Sequence, residues 1–130
     1  NGQYSLYTVS AQNYLRGVQQ TDANGDVTFR TIFPACYSGR WPYIHFEIFE
    51  SLSRATAGSQ SLKTSQLALP KAVCDAVYAT SGYSASVGNL AKVSLSSDMV
   101  FSDGVGLQLA TVTGDVTQGF SASLIVGVAG

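Results

Sequence analysis

The chain has 130 residues, 12% of them charged, and a formal net charge of -1. This balance excludes the basic surface typical of nucleic-acid-binding proteins. No apolar run reaches the roughly 18 to 20 residues that cross a bilayer, so we expect no membrane partner either. Hydrophobic residues make up 45% of the chain, enough for one core, and predict a single domain over residues 1–130. Low charge with many Ser, Thr, Gly and Tyr residues favours a secreted, extracellular β-protein.

The chain opens in polar, strand-like sequence, NGQYSLYT. This stretch contains no initiator Met and neither the basic nor the apolar region of a secretory signal. We therefore expect a processed or partial form of a longer protein.

Residues 14–33 predict a β-hairpin. Two strand-like runs, YLRGVQQ and VTFRTIF, flank DANGD, and Asn24-Gly25 is a strong turn signal because both residues tolerate positive φ. DANGD also resembles the start of a calcium-binding loop, but no Glu follows at the closing position, so we interpret it as a turn.

A third strand, YIHFEIFE, follows Pro34 and the loop ACYSGRWP. Alternation places its side chains on two faces. We expect the core face to consist of Ile44, Phe46 and Ile48, and the other face of Tyr43, His45, Glu47 and Phe49.

The rest of the chain predicts one helix among strands and loops. Residues 51–63 form a polar loop without periodicity, SQLAL a short strand, and PKAVCDAVYAT a helix with Pro70 in its first turn. SGYSASVGN is a loop, and LQLATVTG and FSASLIVGV form a closing hairpin. The fold class expected is therefore all-β: an antiparallel β-sandwich with one short helix.

Tyr37, Tyr43 and His45 are candidate metal ligands. Residues two apart on a strand point the same way, so Tyr43 and His45 can share a site, and Tyr37 in the preceding loop can return to it. Phenolate and imidazole both suit ferric iron, and Arg40 can hold an anion nearby. The alternative from pattern alone is that these tyrosines are ordinary sheet residues and His45 is a structural, hydrogen-bonded histidine.

The order TDANGDVTFRTIFPACYSGRWPYIHFEI resembles the core motif of the intradiol ring-cleaving dioxygenases. The resemblance is to their secreted, fungal-type branch of protocatechuate/catechol dioxygenase-like proteins. It is dense over residues 14–49 and continues in TSQLALPKAVCDAVYATSGYSASVGNLA and ATVTGDVTQGFSASL. It implies an intradiol dioxygenase-like sandwich of which this chain is the C-terminal part. It also implies a non-haem Fe(3+) enzyme that cleaves catechol-type aromatic rings with O2.

The resemblance also implies the site residues. The family's iron is held by two Tyr and two His, which correspond to Tyr4 in GQYS, to Tyr37, to His45, and to position 43, where this chain has Tyr43 instead of His. The family's substrate-side Arg corresponds to Arg40, and a Gln that supports the ring carbons corresponds to Gln66.

Two departures from the family pattern leave the function open. Tyr43 is either a third tyrosinate ligand or a packing and hydrogen-bonding residue in a site that no longer binds iron. The second departure is that relatives carry further strands upstream of the segment that matches Tyr4. If these strands are absent, we expect an exposed sheet edge through which the chain forms oligomers or pairs with another chain. The alternative function is an iron-free pseudoenzyme that serves as a self-assembling or aromatic-binding β-protein. Cys36 and Cys74 can pair in an oxidising compartment, but the sequence does not show that they meet.

Overall fold

The computed structural model describes residues 12–129, and in this range the chain is a mixed α/β protein. The expected all-β sandwich with one helix is therefore wrong. The described residues form three helices and two separate sheets, each of two antiparallel strands. The elements are β1 (Tyr43–Ile48), α1 (Leu52–Thr56), β2 (Lys63–Ala68), α2 (Lys71–Tyr78), α3 (Ser84–Leu90), β3 (Thr111–Asp115) and β4 (Gly119–Ser123).

The chain divides into two compact units, each described here by itself. The first contains residues 12–32 and Phe49–Gln60, and the second contains Phe33–Ile48 and residues 61–129. None of the helices between residues 12 and 129 combines the length and the apolar character needed to span a membrane.

In the first unit, the turn expected at Asn24-Gly25 forms, but the strands expected on either side do not. The Asp22 carboxylate accepts hydrogen bonds from the backbone N–H groups of Asn24 and Asp26, at 2.8 and 2.9 Å. Gly25 adopts φ +85°, which favours glycine. Residues 12–32 lie outside any strand and are exposed throughout. Strand propensity reflects packing on a half-buried surface, so a strand-like sequence without such a surface does not form a ladder.

The second unit is built on the β1–β2 pair. Tyr43 lies opposite Ala68 and His45 opposite Gln66 in the antiparallel register. Beyond the end of this ladder, Ala68 also exchanges backbone hydrogen bonds of 2.7 and 2.9 Å with residues 108 and 110. The expected closing hairpin is present as β3–β4.

Helices α2 and α3 cover the core of this unit. In α2, Cys74, Val77 and Tyr78 are buried, at the three- and four-residue spacing of one helix face. The segment expected as a loop, SGYSASVGN, is largely α3, which buries Ser86 and Leu90. Ser, Gly and Val are weak helix formers, so packing rather than propensity supports this helix.

The core does not lie against the face of β1 that alternation suggested. Its buried cluster consists of Cys36, Trp41, Ala68, Leu69, Cys74, Val77, Tyr78, Leu90 and Phe101. Tyr43 packs against this cluster, whereas Ile44, Phe46 and Ile48 are half-buried and lie outside it. The hydrophobic alternation of a strand therefore did not identify the core side of this small, two-stranded sheet.

The two cysteines are both buried in this cluster as free thiols. Burial raises the pKa of the Cys36 thiol. The pKa of the Cys74 thiol is raised to about 12, mainly by burial and to a smaller extent by the nearby Cys36. Both groups are therefore neutral at physiological pH.

Candidate functional site

The loop before β1 carries Tyr37 and Arg40 and is fixed at its first residue by α3. The Cys36 backbone N–H donates to Ser86 Oγ at 3.0 Å, and Asn89 Nδ2 donates to the Cys36 carbonyl at 2.9 Å. Gly39 then adopts φ +85°, so glycine suits this turn. Helix α3 thus anchors the segment from which Tyr37 projects.

The other end of the loop is fixed at Trp41. Its backbone N–H donates to Asp98 Oδ2 at 2.7 Å, and its indole N–H donates to the Leu69 carbonyl at 2.9 Å. Trp41 and the following Pro42 are buried, which brings the chain into β1 along a defined path. A loop held at both ends on packed elements can place side chains with the precision that a binding site needs.

Two phenol groups meet at the start of β1. The hydroxyl oxygens of Tyr37 and Tyr43 lie 2.8 Å apart, a hydrogen-bonding distance, and the rings meet edge to face with centroids 6.2 Å apart. Tyr37 is 42% exposed, so the pair lies within reach of solvent. The loop and the strand together thus present two oxygen donors at one point.

Arg40 forms the cationic part of the site. Its guanidinium carbon lies 4.3 Å from the centre of the Tyr43 ring, which is a cation–π contact. Its Nε donates to Asp98 Oδ2 at 2.9 Å, and its Nη2 donates to Gln66 Oε1. With 11% of its side chain exposed, Arg40 is largely withdrawn from water.

The Arg40–Asp98 pair is ionised on both sides. Burial works against the charge of Arg40, but the hydrogen bond and charge of Asp98 outweigh it, and the pKa of the guanidinium is raised. Burial alone would raise the pKa of the Asp98 carboxyl. Hydrogen bonds from Arg40 and from the N–H groups of Trp41 and Val100 instead hold that pKa below its ordinary value.

His45 lies on the same face of β1 as Tyr43, two residues along, and directly opposite Gln66 on β2. Its side chain is half-exposed, and its Nε2 lies 3.4 Å from Glu47 Oε1. His45 thus borders the cluster through its cross-strand neighbour, with its imidazole beside a carboxylate.

The residues predicted from sequence fall into two groups. Tyr4 lies outside the described residues. The other five, Tyr37, Arg40, Tyr43, His45 and Gln66, all belong to the second unit. Among them, Arg40 contacts both Tyr43 and Gln66, and Tyr43 contacts Tyr37.

Sequence reasoning missed the residues that support this cluster, above all Asp98. Its Oδ1 accepts from the N–H groups of Val100 and Phe101 at 2.8 and 3.3 Å. This is the local turn chemistry of Asp, and it is the one signal that SSDMVF offered. Its contact with Arg40, 58 positions away, has no signature in the sequence. Ser86 and Asn89 were missed because α3 itself was missed.

The donors present suit a hard, highly charged metal ion. The described part of the chain contains no cluster of three or more His, Cys, Asp and Glu residues that could hold a metal. What it gathers instead is a pair of phenol oxygens with an imidazole on the same strand face. Phenolate oxygen is an established iron donor, and imidazole suits iron as well. The residues therefore fit a ferric ion by donor type.

A separate crevice of about 170 Å³ lies in the same unit. Its lining is mainly apolar and consists of Phe33, Val77, Thr80, Asp115, Val116, Gly119 and Phe120. None of these is a predicted site residue, and the Asp115 carboxylate already accepts two backbone hydrogen bonds, from Thr117 and Gln118. The candidate site therefore remains the group of Tyr37, Arg40, Tyr43, Gln66 and Asp98, which we call the Arg40 cluster.

Comparison with protein-family models, curated proteins and solved structures found no match for this chain. The chemistry of the Arg40 cluster must therefore carry any functional conclusion.

Proposed function

We propose that the chain belongs to a non-haem Fe(3+) intradiol dioxygenase that cleaves catechol-type aromatic rings with O2. The observation that carries the proposal is the 2.8 Å separation of the Tyr37 and Tyr43 oxygens beside the Arg40 guanidinium. Two ligands roughly 2.0 to 2.1 Å from one metal ion and at right angles are roughly 2.8 to 3.0 Å apart. The phenol pair is thus spaced as two adjacent ligands would be. Function depends on such a site rather than on the fold, so the loss of the expected sandwich does not remove the proposal.

Tyr37, Tyr43 and His45 would hold the iron, and Tyr4 is the remaining candidate ligand. Bound Fe(3+) supplies Lewis acidity that activates a chelated catechol towards O2. Overall, catechol and O2 combine into one ring-opened dicarboxylic acid. Both oxygen atoms are retained in the product, so the reaction needs no external reductant.

The chain's own residues would bind and orient the substrate. The Arg40 guanidinium stabilises negative charge that develops on the ring, and it does so in a largely dry environment where such stabilisation is strong. Gln66 accepts from Arg40 Nη2 and so helps to fix the guanidinium, and Gln66 would itself support the ring carbons of the substrate. Because ligands bind metal in their deprotonated form, the Tyr37–Tyr43 pair must release at least one proton on iron uptake.

The test is reconstitution of the chain with ferric iron. We expect about one iron per chain by elemental analysis, a burgundy colour from tyrosinate-to-iron charge transfer, and O2 consumption on addition of catechol. A chain that stays colourless and iron-free would overturn the proposal. A coloured chain that consumes no O2 would instead favour an aromatic-binding protein without oxygen chemistry.

The first unit favours a second candidate, an iron-free protein that associates through exposed apolar side chains. Six large apolar side chains in residues 12–32 are exposed: Tyr14, Leu15, Val18, Val27, Phe29 and Ile32. Exposed apolar surface in a strand-like segment favours pairing with another chain. Sedimentation of the iron-free protein tests this candidate. Oligomers that Val18→Lys dissociates would support it, and a monomer at high concentration would exclude it.

A further inference from the structure

Asp98 is a buried side chain of the second unit, and both of its carboxylate oxygens accept hydrogen bonds. It is fully buried, at 0% exposure. Its carboxylate accepts from three backbone N–H groups, those of Trp41, Val100 and Phe101, at 2.7, 2.8 and 3.3 Å. A carboxylate held by three backbone donors cannot change rotamer without leaving all of them unpaired.

This fixed carboxylate contacts the Arg40 guanidinium through both of its oxygens. Arg40 Nε donates to Oδ2 at 2.9 Å, and Nη2 lies 3.4 Å from Oδ1. Two contacts to the two oxygens of one carboxylate define the plane of the guanidinium as well as its position. The same Nη2 also donates to Gln66, so the orientation is determined from both sides.

We infer that Asp98 is a positioning residue that fixes the Arg40 guanidinium over the Tyr43 ring. The guanidinium held in this way forms the cationic wall of the catechol site. The role in catechol binding rests on the proposed function, whereas the fixation of Arg40 does not. The side-chain partner of the Asp98 carboxylate is Arg40, so Asp98 acts through Arg40. Because the pair is neutral overall, Asp98 provides placement rather than additional attraction for an anion.

Hydrogen exchange of the Arg40 side chain tests the fixation directly, without a variant. In the nitrogen-15-labelled chain we expect the Nε–H of Arg40 to exchange with water at least about tenfold more slowly than that of Arg54, since charge-assisted bonds in a buried pair must break first. Arg54 is a matched reference, because its Nε also faces a carboxylate, that of Glu50 at 3.7 Å, but its side chain is 61% exposed. Equal exchange rates at the two arginines would overturn the inference.

The isosteric variant Asp98→Asn then tests the cause. Asparagine keeps one oxygen that can accept backbone hydrogen bonds, but it removes the charge that holds Arg40 and replaces the other oxygen by an NH2 group that cannot accept. We expect the Arg40 Nε–H to exchange about tenfold faster or more, and Asp75→Asn to leave it unchanged. Asp75 is the matched control, because it pairs with Lys71 on the exposed face of α2 at 2.7 Å. A protected Arg40 in Asp98→Asn would contradict the inference.

A double-mutant cycle separates positioning from general structural support. The probe is 4-nitrocatechol, whose binding to the iron-free chain is followed by absorbance. We expect Asp98→Asn to weaken binding about tenfold when Arg40 is present and to have no further effect in the Arg40→Met background. Equal losses in both backgrounds would mean that Asp98 only supports the fold. If the unaltered iron-free chain does not bind the probe, the role of Arg40 and Asp98 in catechol binding fails, while the exchange measurement still decides whether Asp98 fixes Arg40, and iron reconstitution still decides the proposed function.

Discussion

The hydroxyl oxygens of Tyr37 and Tyr43 share one hydrogen bond of 2.8 Å across the junction of a loop and a strand. One phenol donates and the other accepts, so at least one proton lies between them. A metal ion that takes both oxygens must displace that proton, and its binding is therefore expected to strengthen as pH rises. When no metal is bound, the same pair is a structural hydrogen bond. The pair is therefore compatible with an iron-free protein as well as with an iron enzyme.

Removing one oxygen of the pair tests its role as a ligand. We expect Tyr37→Phe to lower ferric iron occupancy at least tenfold and to weaken the visible charge-transfer colour in proportion, because a phenyl ring cannot bind the metal. Stability should fall by no more than about 1 kcal/mol, since Tyr37 is 42% exposed and loses one hydrogen bond. Elemental analysis and urea unfolding measure the two effects.

Tyr14→Phe is the matched control, because Tyr14 is also exposed and belongs to the first unit. It should keep both the colour and the iron. Retention of full iron occupancy in Tyr37→Phe would remove Tyr37 from the ligand set.

Replacing Tyr43 by His, the residue of the family pattern, tests whether the tyrosine at this position weakens iron binding. A third phenolate lowers the effective charge of a ferric ion, whereas a neutral imidazole does not. We therefore expect Tyr43→His to increase both iron occupancy and O2 consumption with catechol. Tyr43→Phe separates gain from loss, because it removes the oxygen without adding a nitrogen, and it should bind less iron than either. Unchanged iron content in Tyr43→His would mean that another part of the site prevents binding.

Local signals in the sequence were sufficient for three of the elements. Alternation predicted β1, Pro70 marked the start of α2, and Asn24-Gly25 marked a turn, because each of these depends on neighbouring residues only. The expected sandwich failed because residues 12–32, although strand-like, form no ladder with any described residue of their own unit. A strand forms only when a second segment lies beside it, and the composition of one segment does not show whether such a partner is present.

The site shows the same division. Tyr37, Arg40 and Tyr43 lie within seven positions of one another, and the sequence could group them. Asp98 could not be grouped with them, since it reaches Arg40 only through the packing of the second unit. The grouping of Tyr37, Arg40 and Tyr43 was thus predictable, while the residue that orients Arg40 required the fold.

The buried ion pair predicts a large loss of stability on truncation of one partner. Asp98→Ala should destabilise the chain by about 3 to 5 kcal/mol, because it leaves the buried Arg40 cation without a counter-charge and frees backbone N–H groups that lie in the interior. Asp75→Ala, which breaks an exposed pair on α2, should cost no more than about 1 kcal/mol. Urea unfolding at pH 7 compares them. Similar losses in the two variants would contradict the assignment of Asp98 to the core of the fold.

Acid should act through the same carboxylate. The pKa of Asp98 is lowered in the folded chain, so its contribution is present above the unfolded value of about 3.9 and is lost as pH falls through the folded value. Unfolding free energy measured from pH 5 to pH 2 should therefore decrease less steeply in Asp98→Asn than in the unaltered chain. Parallel curves for the two chains would show that Asp98 does not contribute to acid unfolding.

Alkali should destabilise the chain through its buried thiol. The pKa of Cys74 is raised to about 12 by burial, while an unfolded cysteine titrates near about 8.5. The stability that depends on the neutral thiol is complete below about pH 8.5 and is lost as pH rises towards 12, because the unfolded state releases its proton first. Between pH 9.5 and 11 we expect Cys74→Ala to lose stability less steeply than the unaltered chain, by about 1.4 kcal/mol per pH unit. Urea unfolding across this range under reducing conditions measures the slopes, and identical slopes would mean that the Cys74 thiol ionises as easily in the folded chain as in the unfolded one.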